Sequence, residues 1–209
     1  MFKLGVLKRA LRGFVGVDRV RSMMVVLAVA SVGAVLGTHG ANASGSFLAL
    51  GARAPEPSGA TGLCDRYGWA CADAQGRIQF SASMVSEISR INRRVNRAVR
   101  AVSDRRQYGV SDLWSYPASG AGDCEDYALA KKRELVAAGY PSALLMLATV
   151  HSTRTGPHAV LVLRTEQGDY VLDNLNDEIV PWRASGYSFL RIQSPTSPRV
   201  WHSGRPNRS

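Results

Sequence analysis

The chain has 209 residues, 45% of them hydrophobic and 20% charged, and a formal charge of +10. That balance suits one globular domain with appended segments. Neither aromatic residues interleaved with the basic ones nor a zinc-ligand spacing accompanies the charge, which argues against a nucleic-acid module.

Much of the charge lies in the first residues. Lys3, Lys8, Arg9, Arg12, Arg19 and Arg21 precede an uncharged run from Met23 to Gly37, and small residues follow at Ala41 and Ala43. A basic region, a short apolar core and an A-x-A site describe a secretory signal peptide over residues 1–43, cleaved after Ala43. The uncharged run is 15 residues, short of the roughly 20 that a spanning helix needs. No stable membrane span is therefore expected after cleavage. The leader holds six Lys/Arg and one Asp, so its removal leaves the chain at +5.

Residues 44–62 are rich in Gly, Ala, Pro and Ser and read as a flexible leader to the folded part. Cys64 and Cys71 follow in a loop-like stretch. Export implies an oxidising space, and six intervening residues suit a local disulfide. The first helix is expected from about Ser83 to Ser103, where Met84, Val85, Ile88, Ile91, Val95, Val99 and Val102 recur at steps of three and four. Arg90, Arg93, Arg94, Arg97 and Arg100 fall mostly elsewhere on its circumference, as a solvated face or a docking surface for an acidic partner. A second helix should open at Asp123 or Cys124 and end near Gly139, with a proline two residues on. Three nearly continuous apolar runs, 142–151, 158–165 and 169–175, read as central strands covered on both faces. The domain is expected over 63–194, with an irregular tail over 195–209.

Cys124 is the thiol left over, and an odd thiol in an exported protein is an intermolecular link or a reactive group. The glycines at 120 and 122 lead into it, which places it in the first turn of a helix, where free N–H groups and the dipole favour an anion. Asp123 and Glu125 flank it and oppose thiolate formation, so they must point elsewhere or be neutralised. A histidine is needed as well. His158 opens the second strand and Asp173 lies in the third. If a hairpin turns over Arg164–Gln167, the two stand directly opposite. A loop over Thr165–Gly168 makes the pair diagonal but reachable, and a tight turn at Gln167–Gly168 puts them on the order of 13 Å apart. Asn174 faces the other side of the strand from Asp173, which leaves Asp173 as the orienting group. Trp114 and Tyr127 read as core aromatics or cleft walls, and His151 and His202 as surface histidines.

A helix N-terminal cysteine with His and Asp on adjacent strands is the arrangement of papain-like chemistry. At these residues the chain resembles the bacterial transglutaminase-like cysteine peptidases. The resemblance is carried by Trp114, GDCEDYALAKKREL at 122–135, GYP at 139–141, HAVLVL at 158–163 and GDYVLDNL at 168–175. GY at 186–187 and RIQS at 191–194 extend it. It implies an α+β, papain/transglutaminase-like fold, with the nucleophile at the N-terminus of a central helix packed on an antiparallel sheet. It also implies Cys124 as nucleophile, His158 as base and Asp173 as its orienting group, with the thiol and an imidazole nitrogen expected within hydrogen-bond reach, or slightly beyond in an empty site. Some members of the family are periplasmic, release surface adhesins and answer to an inner-membrane receptor for a cyclic dinucleotide. A protein or peptide substrate and such a regulatory receptor are therefore the implied partners. In these members the two carboxylates beside the nucleophile take part in calcium binding, and Asp123 and Glu125 match them. Read without the family, Asp123 caps the helix and Glu125 is solvated or paired with Lys or Arg. The same triad would also serve acyl transfer to an amine, and the same fold could persist as a binding module without catalysis.

Overall fold

The three apolar runs do become strands, and they sit where two apolar layers meet. The structure, a computed structural model, describes residues 46–204; the signal peptide expected over 1–43 lies outside the described residues. In chain order the helices and strands are β1 (Leu50–Ala54), α1 (Leu63–Arg66), α2 (Ala82–Ala98), β2 (Arg100–Ala101), α3 (Asp104–Gln107), β3 (Ala121–Gly122), α4 (Cys124–Ala137), β4 (Leu145–Ser152), β5 (Gly156–Arg164), β6 (Asp169–Leu172), β7 (Val180–Pro181), β8 (Ser188–Gln193) and β9 (Trp201–Gly204). Seven strands form one antiparallel sheet in the order β1-β9-β8-β4-β5-β6-β7. The architecture is α+β, as expected.

Alternation along β4 and β5 divides the core. Leu145, Leu147, Ala159, Leu161 and Leu163 pack with α2 and α4, whereas Met146, Ala148, Val150, Val160 and Val162 pack with Trp182, Phe189 and Ile192 on the other face. Period-two alternation with both faces apolar is what makes the sequence read as an unbroken hydrophobic run. The α4 helix is covered almost all round: even Lys131 and Lys132 are buried. It ends at Ala138–Gly139, where Gly139 takes φ 94° and the Tyr140 N–H reaches back to Leu135 O at 3.0 Å. A glycine there tolerates the left-handed conformation that closes this cap.

Several boundaries differ from the expectation. The α2 helix stops at Ala98, five residues early, because Val99 turns extended and Arg100–Ala101 pairs in parallel with Ala121–Gly122. Apolar residues at 99 and 102 keep the helical spacing of three, and pairing of 100–101 to the loop before Cys124 overrides it. Residues 50–54 are not a free leader but the edge strand β1, hydrogen-bonded to β9. The tail expected to be irregular supplies β9 itself, with Trp201 buried edge-on against Trp114 at a centroid distance of 5.8 Å. The N- and C-terminal segments thus pair with each other, and neither strand is readable alone. The disulfide joins Cys64 to Cys71 as the spacing suggested. Among the described residues no helix is long and apolar enough to cross a membrane.

Candidate active site

The loop after β3 delivers Cys124 to the first position of α4, with Asp123 as the residue before the helix. Across a cavity of about 370 Å³ stand Pro157, His158 and Ala159 at the start of β5, with Trp114, Val150 and Leu190 on the walls. The β5–β6 hairpin brings Asp173 to His158. Arg164 faces Asp169, so the loop is Thr165–Gly168, closed by the Thr165 N–H to Gly168 O at 2.9 Å. The loop over Arg164–Gln167 is therefore not formed. An ion pair explains the choice: the Arg164 guanidinium grips the opposed Asp169 carboxylate at 2.8 and 2.7 Å, and the Leu48 N–H adds 2.7 Å. The diagonal geometry follows, and His158 Nε2 meets Asp173 Oδ1 at 2.8 Å.

Asp173 is nearly buried and accepts three donors: His158, the Leu175 N–H at 3.0 Å, and the Tyr187 hydroxyl. Although burial pushes its pKa up, the bonds from His158, Tyr187 and Leu175 outweigh it and hold the carboxyl below its ordinary value. With Nε2 committed to Asp173, Nδ1 is the imidazole nitrogen left for the cavity. Asn174 takes no part in that pair; its side-chain oxygen is buried without a hydrogen-bond partner. His151 is exposed and His202 lies half-buried on β9. Tyr187 stood in the sequence only as half of the GY pair at 186–187, with no role attached, because the chain returns to Asp173 only through β7 and the following turn.

The thiol does not bond to the imidazole. Cys124 Sγ donates to Glu125 Oε2 at 3.1 Å. Burial first, and then the adjacent Glu125 charge, push the thiol pKa well above its usual value, while the Ala159 N–H pulls it back. Of the two flanking carboxylates only Glu125 turns to the thiol. Asp123 makes no side-chain cap to α4; its Oδ2 accepts from the Asp104 N–H at 3.1 Å. Glu125 is 5% exposed and forms no ion pair with Lys or Arg among the described residues.

Three more acids gather there, which sequence reasoning passed over: Asp104 opening α3, Asp112 in the following loop, and Asp126 in α4. One oxygen each from Asp104, Asp123 and Asp126 lies within 4.8 Å of the others, and so do those of Asp104, Asp112 and Glu125. Burial, opposed by backbone hydrogen bonds, raises Asp104 and lifts Asp126 to about 7; Glu125 is pushed up by burial and by Asp123. Each carboxylate of the first trio has one oxygen fixed by a backbone N–H. Asp104 takes Leu113, Asp123 takes Asp104, and Asp126 takes Ser115 at 2.8 Å. The second oxygens, Asp104 Oδ1, Asp123 Oδ1 and Asp126 Oδ2, are buried with no partner at all. An orphaned buried acceptor is costly, and three converging carboxylates are the donor set of a hard cation. The residues present fit such an ion.

A family model for bacterial transglutaminase-like cysteine proteinases matches residues 50–208. The chain belongs to this family. It is accordingly a transglutaminase-like cysteine peptidase. Solved structures of LapG from Legionella pneumophila are similar. The calcium-bound form is 24% identical with a TM-score of 0.49, over 63% of this chain and 76% of that one. The EGTA-treated form is 28% identical with a TM-score of 0.45, over 51% and 61%. A third LapG structure is 26% identical with a TM-score of 0.48, over 56% and 67%. No curated protein matches the chain.

Proposed function

We propose that this peptidase cleaves a surface-directed protein in the periplasm through a Cys124–His158–Asp173 triad, and that the acid cluster beside the nucleophile holds calcium. The observation that carries the reading is the buried His158–Asp173 bond at 2.8 Å, facing the same cavity as Cys124. His158 Nδ1 takes the thiol proton, and the thiolate attacks the scissile carbonyl carbon. The N–H groups of the first turn of α4 face the developing oxyanion. The imidazolium, steadied by Asp173, returns the proton to the leaving amine as the C–N bond breaks, which leaves a thioester on Cys124. Water then adds with His158 as base, the acid departs and the thiol reforms.

Asp104, Asp123 and Asp126 would hold the cation, with Asp112 and Glu125 beside them. When bound it supplies positive charge against carboxylates that otherwise disfavour the thiolate. Glu125, which accepts from the Cys124 thiol at 3.1 Å, is among the carboxylates whose charge the ion would offset. The leader over residues 1–43 supports the periplasmic setting, and the family supports a protein substrate and a membrane receptor as regulator.

The test is to incubate the outer-surface proteins of the source cell with the purified chain or with Cys124→Ala, in calcium or EGTA. The reading expects a new N-terminus on a large surface protein with wild type in calcium alone. Cleavage that persists in Cys124→Ala, or no cleavage by a chain whose thiol reacts readily with iodoacetamide, would overturn it.

A further inference from the structure

Asp173 stands outside the sheet. β6 ends at Leu172, and among the described residues no backbone–backbone hydrogen bond closes the turn 173–178 on itself. Its local bonds are short-range side-chain ones, from the Leu175 N–H to Asp173 and from the Glu178 N–H to Asn176 Oδ1 at 3.0 Å. The carbonyls of the turn point instead at α2. Asn92 Nδ2 donates to Asn176 O at 3.1 Å and to Asp177 O at 2.9 Å. One helical turn on, Asn96 Nδ2 donates to Asp173 O at 3.0 Å, to Asp177 Oδ1 at 2.9 Å and more loosely to Asn176 O at 3.5 Å. Residues four apart share a helix face, so the two amides form one clamp.

Both amides act as donors only. Asn92 Oδ1 and Asn96 Oδ1 are buried with no partner, and Asn92 is fully buried in a helix whose other inward residues are mainly apolar. An interior amide with an orphaned oxygen is a poor choice for packing alone. Its donors are spent on the turn that carries Asp173. Burial pushes the Lys131 amine of α4 down to about 7, while the charges of Asp173 and Asp177 pull it back up.

We propose that Asn92 and Asn96 are positioning residues for the general base: they fix the backbone of the 173–177 turn, and through it the direction of the Asp173 carboxylate toward His158. This rests on the triad reading above. The test uses the full chain with four variants: Asn96→Ala, Asn96→Asp, His158→Ala and Ile88→Val. The last loosens the packing of α2 without touching the turn. Two readouts are taken with calcium present, the iodoacetamide alkylation rate of Cys124 at pH 7 and the low-field NMR signal of the His158 N–H shared with Asp173. The signal is assigned by its loss in His158→Ala.

The expected result is at least a tenfold fall in alkylation rate in both Asn96 variants, with the N–H signal broadened or lost. Ile88→Val should stay within twofold of wild type and keep the signal while its melting temperature falls. A sharp, unshifted signal in Asn96→Ala and Asn96→Asp would overturn the proposal, as would an equal loss in Ile88→Val. The two failures separate. If His158→Ala alkylates as fast as wild type, the triad reading falls, and the N–H signal alone still decides whether Asn96 orients the pair.

Discussion

Replacing Tyr187 by Phe removes one hydroxyl and nothing else from the His158–Asp173 pair. That hydroxyl donates to Asp173 Oδ2, while Oδ1 serves His158 and Leu175. Asp173 is 5% exposed, so water is poorly placed to substitute. A hydrogen bond to a buried charge is worth about 1.5–3 kcal/mol, which for a chain of this size corresponds to a melting-temperature loss of about 3–12 °C. Asp173 is held below its ordinary pKa. Such a group stabilises the fold above the unfolded value, about 3.9, and that contribution is lost as the pH falls through the lower folded value. Near neutral pH the variant should show the full deficit. Below that folded value, once Asp173 is neutral, the deficit should shrink to that of a neutral bond, about 0.5–1.5 kcal/mol. Denaturant melts of wild type and Tyr187→Phe, from pH 7 down to below the Asp173 titration followed by NMR, measure this. A gap that stays equal after Asp173 has titrated would refute the argument by showing that the hydroxyl does not stabilise a charge.

Other outcomes follow from the same geometry. Asp173→Asn, nearly isosteric, should cost roughly 10³–10⁴ in peptidase rate, the scale seen when a triad carboxylate is replaced by an amide, with the fold retained by circular dichroism. Calcium at 100 times its dissociation constant should stabilise the protein by about 2.7 kcal/mol, roughly 5–10 °C in a thermal melt, and EGTA should reverse it. Asp126→Asn should lose that calcium response yet melt higher than wild type in EGTA, because burial and neighbouring acids already push the Asp126 carboxyl to about 7. A lower melt in EGTA would count against the cluster. Gly122→Ala should also abolish the response, since its methyl would sit 2.4 Å from Asp126 Oδ2. Cys64→Ser with Cys71→Ser opens a loop of sequence separation 7 and should cost about 2.5 kcal/mol, read as a lower denaturant midpoint.

What the sequence disclosed divides by the range of the interaction. Cys124, at the end of a glycine-rich loop, and the continuous apolar runs of β4 and β5 announce themselves locally. The His158–Asp173 pairing was narrowed to a choice among hairpin loops, and only the Arg164–Asp169 ion pair selects one. β1 and β9 were missed because each is short and has little alternation, and each is held by pairing to a distant strand, β1 to β9 and β9 to β8. The acid cluster shows the same limit. Asp123 and Glu125 are conspicuous beside the thiol, whereas Asp104 and Asp112 join them only when the loop before Trp114 folds over α4. Asp126 was available in the run GDCED, three acids around one cysteine, and that density was the signal to weigh.

The central claim is that His158 makes Cys124 a nucleophile toward acyl groups. Treating the calcium-loaded protein with p-nitrophenyl acetate, quenching in acid within seconds and locating the acetyl group by mass spectrometry tests it directly. The account predicts an acetyl thioester on Cys124 that forms rapidly in wild type and at least a hundredfold more slowly in His158→Ala. Acetylation of Cys124 at the same rate in wild type, in His158→Ala and in the urea-unfolded chain would contradict it.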